Sequence, residues 1–324
     1  MSDITKANEI FVPRYHKLQE ILGRMERAHW LPDEADMSQD VTQWKDGTIS
    51  LSEKAYIKMI LRGFTQTDHD VCGGYVEKLL PIFKQADARM ALLSCANREV
   101  THVLGYKRLN DTLGYDSVEF MSEFLLFDEL KAKHEFMVES VDLTTKRGIA
   151  EYLAKQVLME GVNLFGPFVQ LLDFSRYGKL PGMVSVNQWS IIDESMHVEV
   201  LAELFRIFVE ENPEVVTDEL KRTIYDFARK SVKLEHDSLR LTFNIHTPKK
   251  MTLKQAEDYI CLVCDYRMQQ LGLKPQFGID KNPLPFVEEI TGDGVLGNFF
   301  ETTITAYSKD SMTGEWIYPE YNPA

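Results

Sequence analysis

Apolar residues recur every three to four positions along most of this 324-residue chain, the spacing that places them on one face of an α-helix. No alternating apolar and polar stretch of useful length indicates a β-strand. Helix start signals, such as the capping-box sequence Ser50-Leu-Ser-Glu53, divide the chain into long helices. The predicted helices cover roughly residues 50–83, 87–114, 117–137, 146–175, 183–210, 217–245 and 252–272. The pattern therefore predicts an all-α protein.

Two of these helices each carry a Glu-x-x-His motif on their apolar stripe. Two other long helices, one upstream of each motif, each carry a single acid on their apolar stripe. Residues i and i+3 share a helix face, so each motif presents a carboxylate and an imidazole in the same direction. Four acids and two histidines are the ligand set of a dinuclear metal site inside a four-helix bundle. The six candidate ligands are Asp68, Glu99, His102, Glu160, Glu194 and His197.

Buried salt bridges are the alternative explanation for these acids. Arg and Lys are scarce on the four stripes, whereas uncompensated buried carboxylates are strongly unfavourable, so cations are expected at this position. A third Glu-x-x-His, Glu26 to His29, lies at a helix end without an upstream acid and is interpreted as surface. Cys261 and Cys264 form a C-x-x-C pair, but they lie on an apolar-periodic helix and are expected to be buried thiols.

The charge balance narrows the class of partner. The chain has 36 basic and 50 acidic residues, a formal net charge of −14 and no basic run, which argues against a nucleic-acid groove or an anionic membrane surface. The N-terminus lacks the apolar core of a signal peptide, and we expect no apolar run of membrane-spanning length. We therefore expect a soluble, cytoplasmic protein.

One further residue bears on the chemistry. Tyr106 follows His102 by four residues, so its phenol would lie about 6 Å further along the same helix face. From this position alone, it is either an ordinary core tyrosine or a phenol that faces the metals.

Other motifs accompany the candidate ligands: Trp30-Leu-Pro32, Asp193, Arg267-Met-x-x-x-Gly272-Leu273, Asn282-Pro-Leu-Pro285, Glu301 and Tyr307. Together with the ligands and Tyr106, they resemble the small, radical-generating subunit of class I ribonucleotide reductase over nearly the whole chain. The resemblance implies a ferritin-like helical domain over residues 1–300. It also implies a flexible tail over residues 301–324 that docks on the large, catalytic subunit.

The resemblance also implies the chemistry. A dinuclear centre of two iron or two manganese ions would activate oxygen and generate a tyrosyl radical, which the large subunit uses to convert ribonucleotides to deoxyribonucleotides. A homodimer is implied, and a flavoprotein activator if the metal is manganese. The alternative is another ferritin-like di-metal oxidase, such as a desaturase or a ligand-binding oxidase. A metal-storage bundle is a third class.

Residue roles follow from the same resemblance. Tyr106 would hold the radical, and Trp30, Asp193 and His102 would form the internal electron and proton route. Tyr307 would relay the radical across the subunit boundary with support from Glu301. One metal would be bound by Asp68, Glu99 and His102, and the other by Glu160, Glu194 and His197.

Two positions depart from the family pattern. Ile192 replaces an Arg often found before the Asp-Glu pair, and Ser190 replaces a bulky residue usual near the tyrosine. The aromatic anchors expected in the tail are Trp316, Tyr318 and Tyr321.

Overall fold

α-Helices make up most of the regular structure between residues 3 and 292, the part of the chain that the computed structural model describes. No β-strand occurs in this part, which confirms the all-α prediction. In chain order the helices are α1 (His16–Arg27), α2 (Ser38–Asp46), α3 (Leu51–Gly73), α4 (Ala86–Leu113), α5 (Val118–Ser122), α6 (Asp128–Val138), α7 (Lys146–Gly161), α8 (Phe165–Leu172), α9 (Pro181–Glu211), α10 (Asp218–Ile245), α11 (Leu253–Gln270) and α12 (Phe286–Thr291).

Helices α3, α4, α7 and α9 form the centre of the bundle. Helix α3 packs on α4, α4 on α9, and α9 on α7, while α10 and α11 cover the outer side of α7. The long apolar stripes of these helices face one another, so the core is continuous along the bundle. This arrangement brings all four helices that carry the candidate ligands together.

Three of the predicted helices are interrupted. Helix α3 passes into a π-helical segment, Gly74–Leu79, and α5 and α6 are separate helices joined by a 3-10 segment. The predicted helix 146–175 breaks at residues 162–164, between α7 and α8. Pro167 has no N–H to donate to the carbonyl of residue 163, and its ring would clash with that carbonyl in a continuous helix.

A buried ion pair supports this break. Glu235, which is fully buried, accepts a hydrogen bond of 2.8 Å from the Gly166 backbone N–H and pairs with Lys133 Nζ at 2.7 Å. A Cβ on Gly166 would lie only 2.2 Å from Glu235 Oε1, so only glycine fits against the carboxylate. The start of α8 is thus held in place by a contact from α10.

Three shorter helices differ from the sequence prediction. The sequence predicts a helix end near Glu26 but not the rest of α1, and it does not predict α2. The last helix predicted from the sequence ends near residue 272, whereas α12 follows Pro283. Helices of 9 and 6 residues, such as α2 and α12, contain too few turns for a reliable periodic signal.

One apolar segment requires a correction. Within the described residues, Lys146–Tyr177 is long and apolar enough to cross a membrane by length and composition alone, contrary to the expectation of no such run. Its most apolar stretch is entirely buried among the other helices, as in the core helix of a soluble protein. Burial in the core accounts for this composition.

Candidate metal centre

The six candidate ligands meet at the centre of the bundle. Each is at most 1% exposed, and together they come from α3, α4, α7 and α9. They form two groups of four, in each of which the potential ligand atoms lie within 4.8 Å of one another. Glu99 and Glu194 belong to both groups, with Asp68 and His102 completing one. Glu160 and His197 complete the other.

Donor atoms converge without satisfying one another. His197 Nδ1 lies 2.9 Å from Glu99 Oε1, and His102 Nδ1 lies 3.1 Å from Glu194 Oε1, but neither contact has hydrogen-bond geometry. Nine buried oxygen and nitrogen atoms of these six residues have no hydrogen-bond partner among residues 3–292: Asp68 Oδ2, both Glu99 oxygens, Glu160 Oε1, both Glu194 oxygens, His102 Nδ1, and both ring nitrogens of His197. Buried polar atoms are normally paired, so this concentration needs an explanation.

Bound cations explain these unpartnered polar atoms, because the salt-bridge alternative has no support in the described residues. There, no Lys or Arg pairs with any of the four carboxylates, and the buried Lys133 pairs with Glu235 instead. Four carboxylates neutralise two divalent ions, and carboxylate oxygens with imidazole nitrogens suit iron and manganese. The donor set therefore fits a dinuclear metal centre.

The electrostatics of the cluster agree with this interpretation. Burial raises the pKa of Asp68 well above its usual value and that of Glu160 to about 8. Burial also acts to raise the pKa of Glu194, but the two neighbouring histidines outweigh it and lower that pKa to about 2. Burial acts to lower the pKa values of His102 and His197, but both are raised, by carboxylates around His102 and by Cys95 and carboxylates around His197. Without metals, protons must offset the negative charge of the cluster.

A hydrogen-bonded chain leads away from His102. Asp193 Oδ2 accepts a hydrogen bond of 2.8 Å from Trp30 Nε1–H and lies 3.2 Å from His102 Nε2. The Trp30 ring stacks on the His102 ring, with 6.0 Å between centroids. Since Nδ1 of His102 faces the carboxylates, its Nε2 is left for Asp193. The structure thus brings together three residues that the sequence placed on one route.

The phenol of Tyr106 is fully buried beside the same cluster. Its hydroxyl donates to Asn187 Oδ1 at 3.1 Å, and Asn187 Nδ2 donates to the Phe168 carbonyl at 2.8 Å. Because the Phe168 carbonyl is an acceptor, it fixes the amide orientation and leaves the amide oxygen for the phenol. Burial, with the nearby charge of Asp68, raises the pKa of Tyr106 well above 10. The Phe64 ring packs against the phenol with 4.3 Å between centroids.

Two residues that contact Tyr106 or Trp30 have no role predicted from the sequence. Asn187 is a polar residue on an otherwise apolar stripe, which was the only available signal. Trp189 is half-buried, and its ring centroid lies 5.2 Å from that of Trp30. Their contacts depend on how α9 packs against α1 and α4, which no local pattern encodes.

The remaining sequence predictions have mixed outcomes. Glu26 and His29 are exposed, as expected, and Cys261 and Cys264 are buried free thiols. Five tail residues fall outside the described residues: Glu301, Tyr307, Trp316, Tyr318 and Tyr321.

Comparison with known proteins decides the family. The sequence profile of the family described as ribonucleotide reductase, small chain, matches residues 7–283. The chain belongs to this family. It is 36% identical over 309 residues to a probable ribonucleoside-diphosphate reductase small subunit of Invertebrate iridescent virus 3, covering 90% of this chain and 81% of the viral protein. It is 30% identical over 297 residues to the ribonucleoside-diphosphate reductase subunit beta of Chlamydia pneumoniae, covering 86% and 84%.

Solved structures support the ferritin-like fold. A putative class I ribonucleotide reductase from Bacillus halodurans superposes with a TM-score of 0.78 at 23% identity, covering 85% of this chain and all of that one. The Rnr4 homodimer of Saccharomyces cerevisiae gives 0.70 at 18% identity, covering 85% and 86%. An R2-like ligand-binding oxidase with a Mn/Fe cofactor gives 0.64 at 13% identity, covering 78% and 93%. The predicted function, the small subunit of ribonucleoside-diphosphate reductase, is confirmed. The alternative of another ferritin-like di-metal oxidase is not favoured.

Proposed function

We propose that the six clustered residues hold a dinuclear centre of iron or manganese and that Tyr106 stores the radical used for ribonucleotide reduction. The convergence of four buried carboxylates and two imidazoles, most of whose polar atoms lack a hydrogen-bond partner among residues 3–292, carries this proposal. When bound, the centre supplies, through oxygen activation, the oxidising equivalent that removes one electron from a phenol.

The two metal pockets differ in their terminal ligands. Asp68 and His102 would serve one metal, and Glu160 and His197 the other. Glu99 and Glu194 belong to both groups of ligand atoms, so each of these carboxylates would help to hold both metals. The resemblance implies instead that each of them binds a single metal.

Residues around Tyr106 keep the phenol away from solvent and reductants. Phe64 and Phe168 pack edge to face with 5.1 Å between centroids, and Leu164 is also buried. Asn187 holds the hydroxyl group in one orientation. A tyrosyl radical persists only where solvent and reductants are excluded, and this pocket meets that requirement.

The route out of the protein would begin at His102, Asp193 and Trp30. Asp193 accepts from the Trp30 N–H and faces His102 Nε2, so one carboxylate links the metal ligand to the indole. From there we propose that Tyr307, supported by Glu301, passes the radical to the large subunit. The proposed division is a bundle domain over residues 1–300 and a docking tail over residues 301–324.

A second copy of the chain would pack on the outward face of α4. This face exposes an apolar stripe of Met90, Leu93, Val100 and Leu104, each 36–51% exposed. Their spacing of three, seven and four residues places them on one side of the helix. Contiguous exposed apolar surface of this kind marks protein interfaces, and the yeast Rnr4 relative is a homodimer.

The compartment and the activator follow from less direct observations. All four cysteines are free, which suits a reducing compartment such as the cytoplasm. If the metals are manganese, a flavoprotein would supply the oxidant. Metal analysis of protein from its native source, with electron paramagnetic resonance, decides between iron and manganese.

The sharpest test of the proposed function is Tyr106→Phe. The variant lacks one hydroxyl and should keep its fold and two metals per chain, but the tyrosyl signal and nucleotide reduction with the large subunit should disappear. Tyr259→Phe is the matched control, because the Tyr259 hydroxyl is also buried, has no hydrogen-bond partner among the described residues and lies on α11. Normal turnover in Tyr106→Phe would show that another group starts the chemistry.

A further inference from the structure

A second buried tyrosine contacts the cluster from the end of α3. Tyr75 is 1% exposed, and its hydroxyl donates to Glu160 Oε2 at 2.5 Å. Its ring lies edge to face against the His197 ring, with 6.1 Å between centroids. Neither the motif spacing nor the proposed radical route assigns a role to this phenol.

The local backbone explains how α3 reaches both ends of the cluster. Tyr75 follows Asp68 by seven residues, about two helical turns or 10 Å along the axis on the same face. It lies in the π-helical segment Gly74–Leu79, where the Leu80 N–H bonds to the Tyr75 carbonyl at 2.9 Å. π-Helical turns often occur at functional sites because they redirect a side chain. Helix α3 thus presents Asp68 to one group of candidate ligands, and the π-helical segment that continues it presents Tyr75 to the other.

Packing between α3 and α7 fixes this phenol. A Cβ on the neighbouring Gly74 would lie 2.5 Å from Gln156 Nε2 and 3.0 Å from the Tyr152 hydroxyl, so the π-helical segment is in close contact with α7. Glu160 lies near the end of α7, one residue before the helix stops at Gly161. At this helix end, the Tyr75 hydroxyl supplies a tertiary hydrogen bond to Glu160 Oε2, and His197 Nδ1 lies 3.6 Å from the same oxygen.

We propose that Tyr75 is a positioning residue that holds the Glu160 carboxylate in one orientation for metal binding. This inference rests on the proposed metal centre. Glu160 Oε2 is engaged by the phenol, whereas Oε1 is buried without a partner among the described residues. While the hydrogen bond persists, the carboxylate cannot rotate to exchange its two oxygens. Such partners of ligand carboxylates orient them and raise metal affinity.

Tyr75→Phe tests the proposal, with Tyr56→Phe as control. Tyr56 lies on α3, the helix that leads into the π-helical segment, and is fully buried. Its hydroxyl has no hydrogen-bond partner among the described residues, and it precedes Asp68 by twelve residues, about 18 Å along the helix axis. Both variants lose one hydroxyl and keep the aromatic ring. Thermal unfolding of the metal-free proteins would confirm that both are folded.

The readout is anaerobic titration with Mn²⁺ and the crystal structure of the Mn²⁺-loaded proteins. We expect Tyr75→Phe to weaken one of the two binding steps by about tenfold, leave the other step unchanged and turn the Glu160 carboxylate. Tyr56→Phe should match the wild type in both steps. Wild-type binding in Tyr75→Phe, or an equal loss in both variants, overturns the proposal. A wild-type protein that binds no Mn²⁺ would instead contradict the metal centre itself.

Discussion

Asp193 offers the most quantitative test of the radical route, because one of its oxygens serves two partners. Oδ2 accepts from Trp30 Nε1–H at 2.8 Å and lies 3.2 Å from His102 Nε2. Asp193→Asn preserves the size of the side chain but removes its charge. Even if the amide oxygen keeps both contacts, each becomes a bond to a neutral acceptor.

The expected loss can be worked from these contacts. A hydrogen bond to a charged group contributes about 1 kcal/mol more than a neutral one, so the His102 contact should weaken by roughly that amount. The carboxylate also keeps the proton on Nε2 and leaves Nδ1 free for a metal. Because 1.4 kcal/mol corresponds to about tenfold, a loss of about 1 kcal/mol should lower metal affinity by about fivefold. Turnover should fall further, since the Trp30 contact is weakened as well.

The assay compares metal affinity, radical yield at saturating metal, and nucleotide reduction with the large subunit. Asp40→Asn is the matched control, because Asp40 is also a buried carboxylate that contacts α9, the helix of Asp193. Asp40 accepts hydrogen bonds from the Gly182 and Met183 N–H groups at the start of that helix. It should lower thermal stability but leave metal affinity unchanged. If Asp193→Asn binds metal and turns over like the wild type, the reasoning about this carboxylate is refuted.

The remaining predictions concern the ligands, the tail and the dimer. Glu99→Ala or His197→Ala should lower metal content below two ions per chain and abolish the radical, and full occupancy in both would contradict the ligand assignment. Tyr307→Phe should form a normal metal centre and radical and bind the large subunit, yet turnover should be nearly absent because phenylalanine is far harder to oxidise; normal turnover would remove Tyr307 from the route. Leu93→Glu with Leu104→Glu should give a monomer by analytical ultracentrifugation, and an intact dimer would place the interface elsewhere.

Helical periodicity is a local property, and for that reason the sequence by itself determined much of the architecture. The spacing of apolar residues predicted the four long helices of the bundle core, and the register of the Glu-x-x-His motifs placed all six candidate ligands on inward faces. The capping box at Ser50 correctly marked the start of α3. Each of these inferences needs only residues within a few turns of one another.

The tertiary structure decided what depends on contacts between distant segments. Glu99 and Glu194 belong to both groups of ligand atoms because α4 and α9 pack side by side. The two glutamates are 95 residues apart in the chain. Asn187 reaches Tyr106, and Tyr75 reaches Glu160 through a π-helical segment that the apolar pattern does not reveal. Hydrogen-bond partners inside a core are set by the relative position and rotation of whole helices, and helix packing alone fixes those quantities.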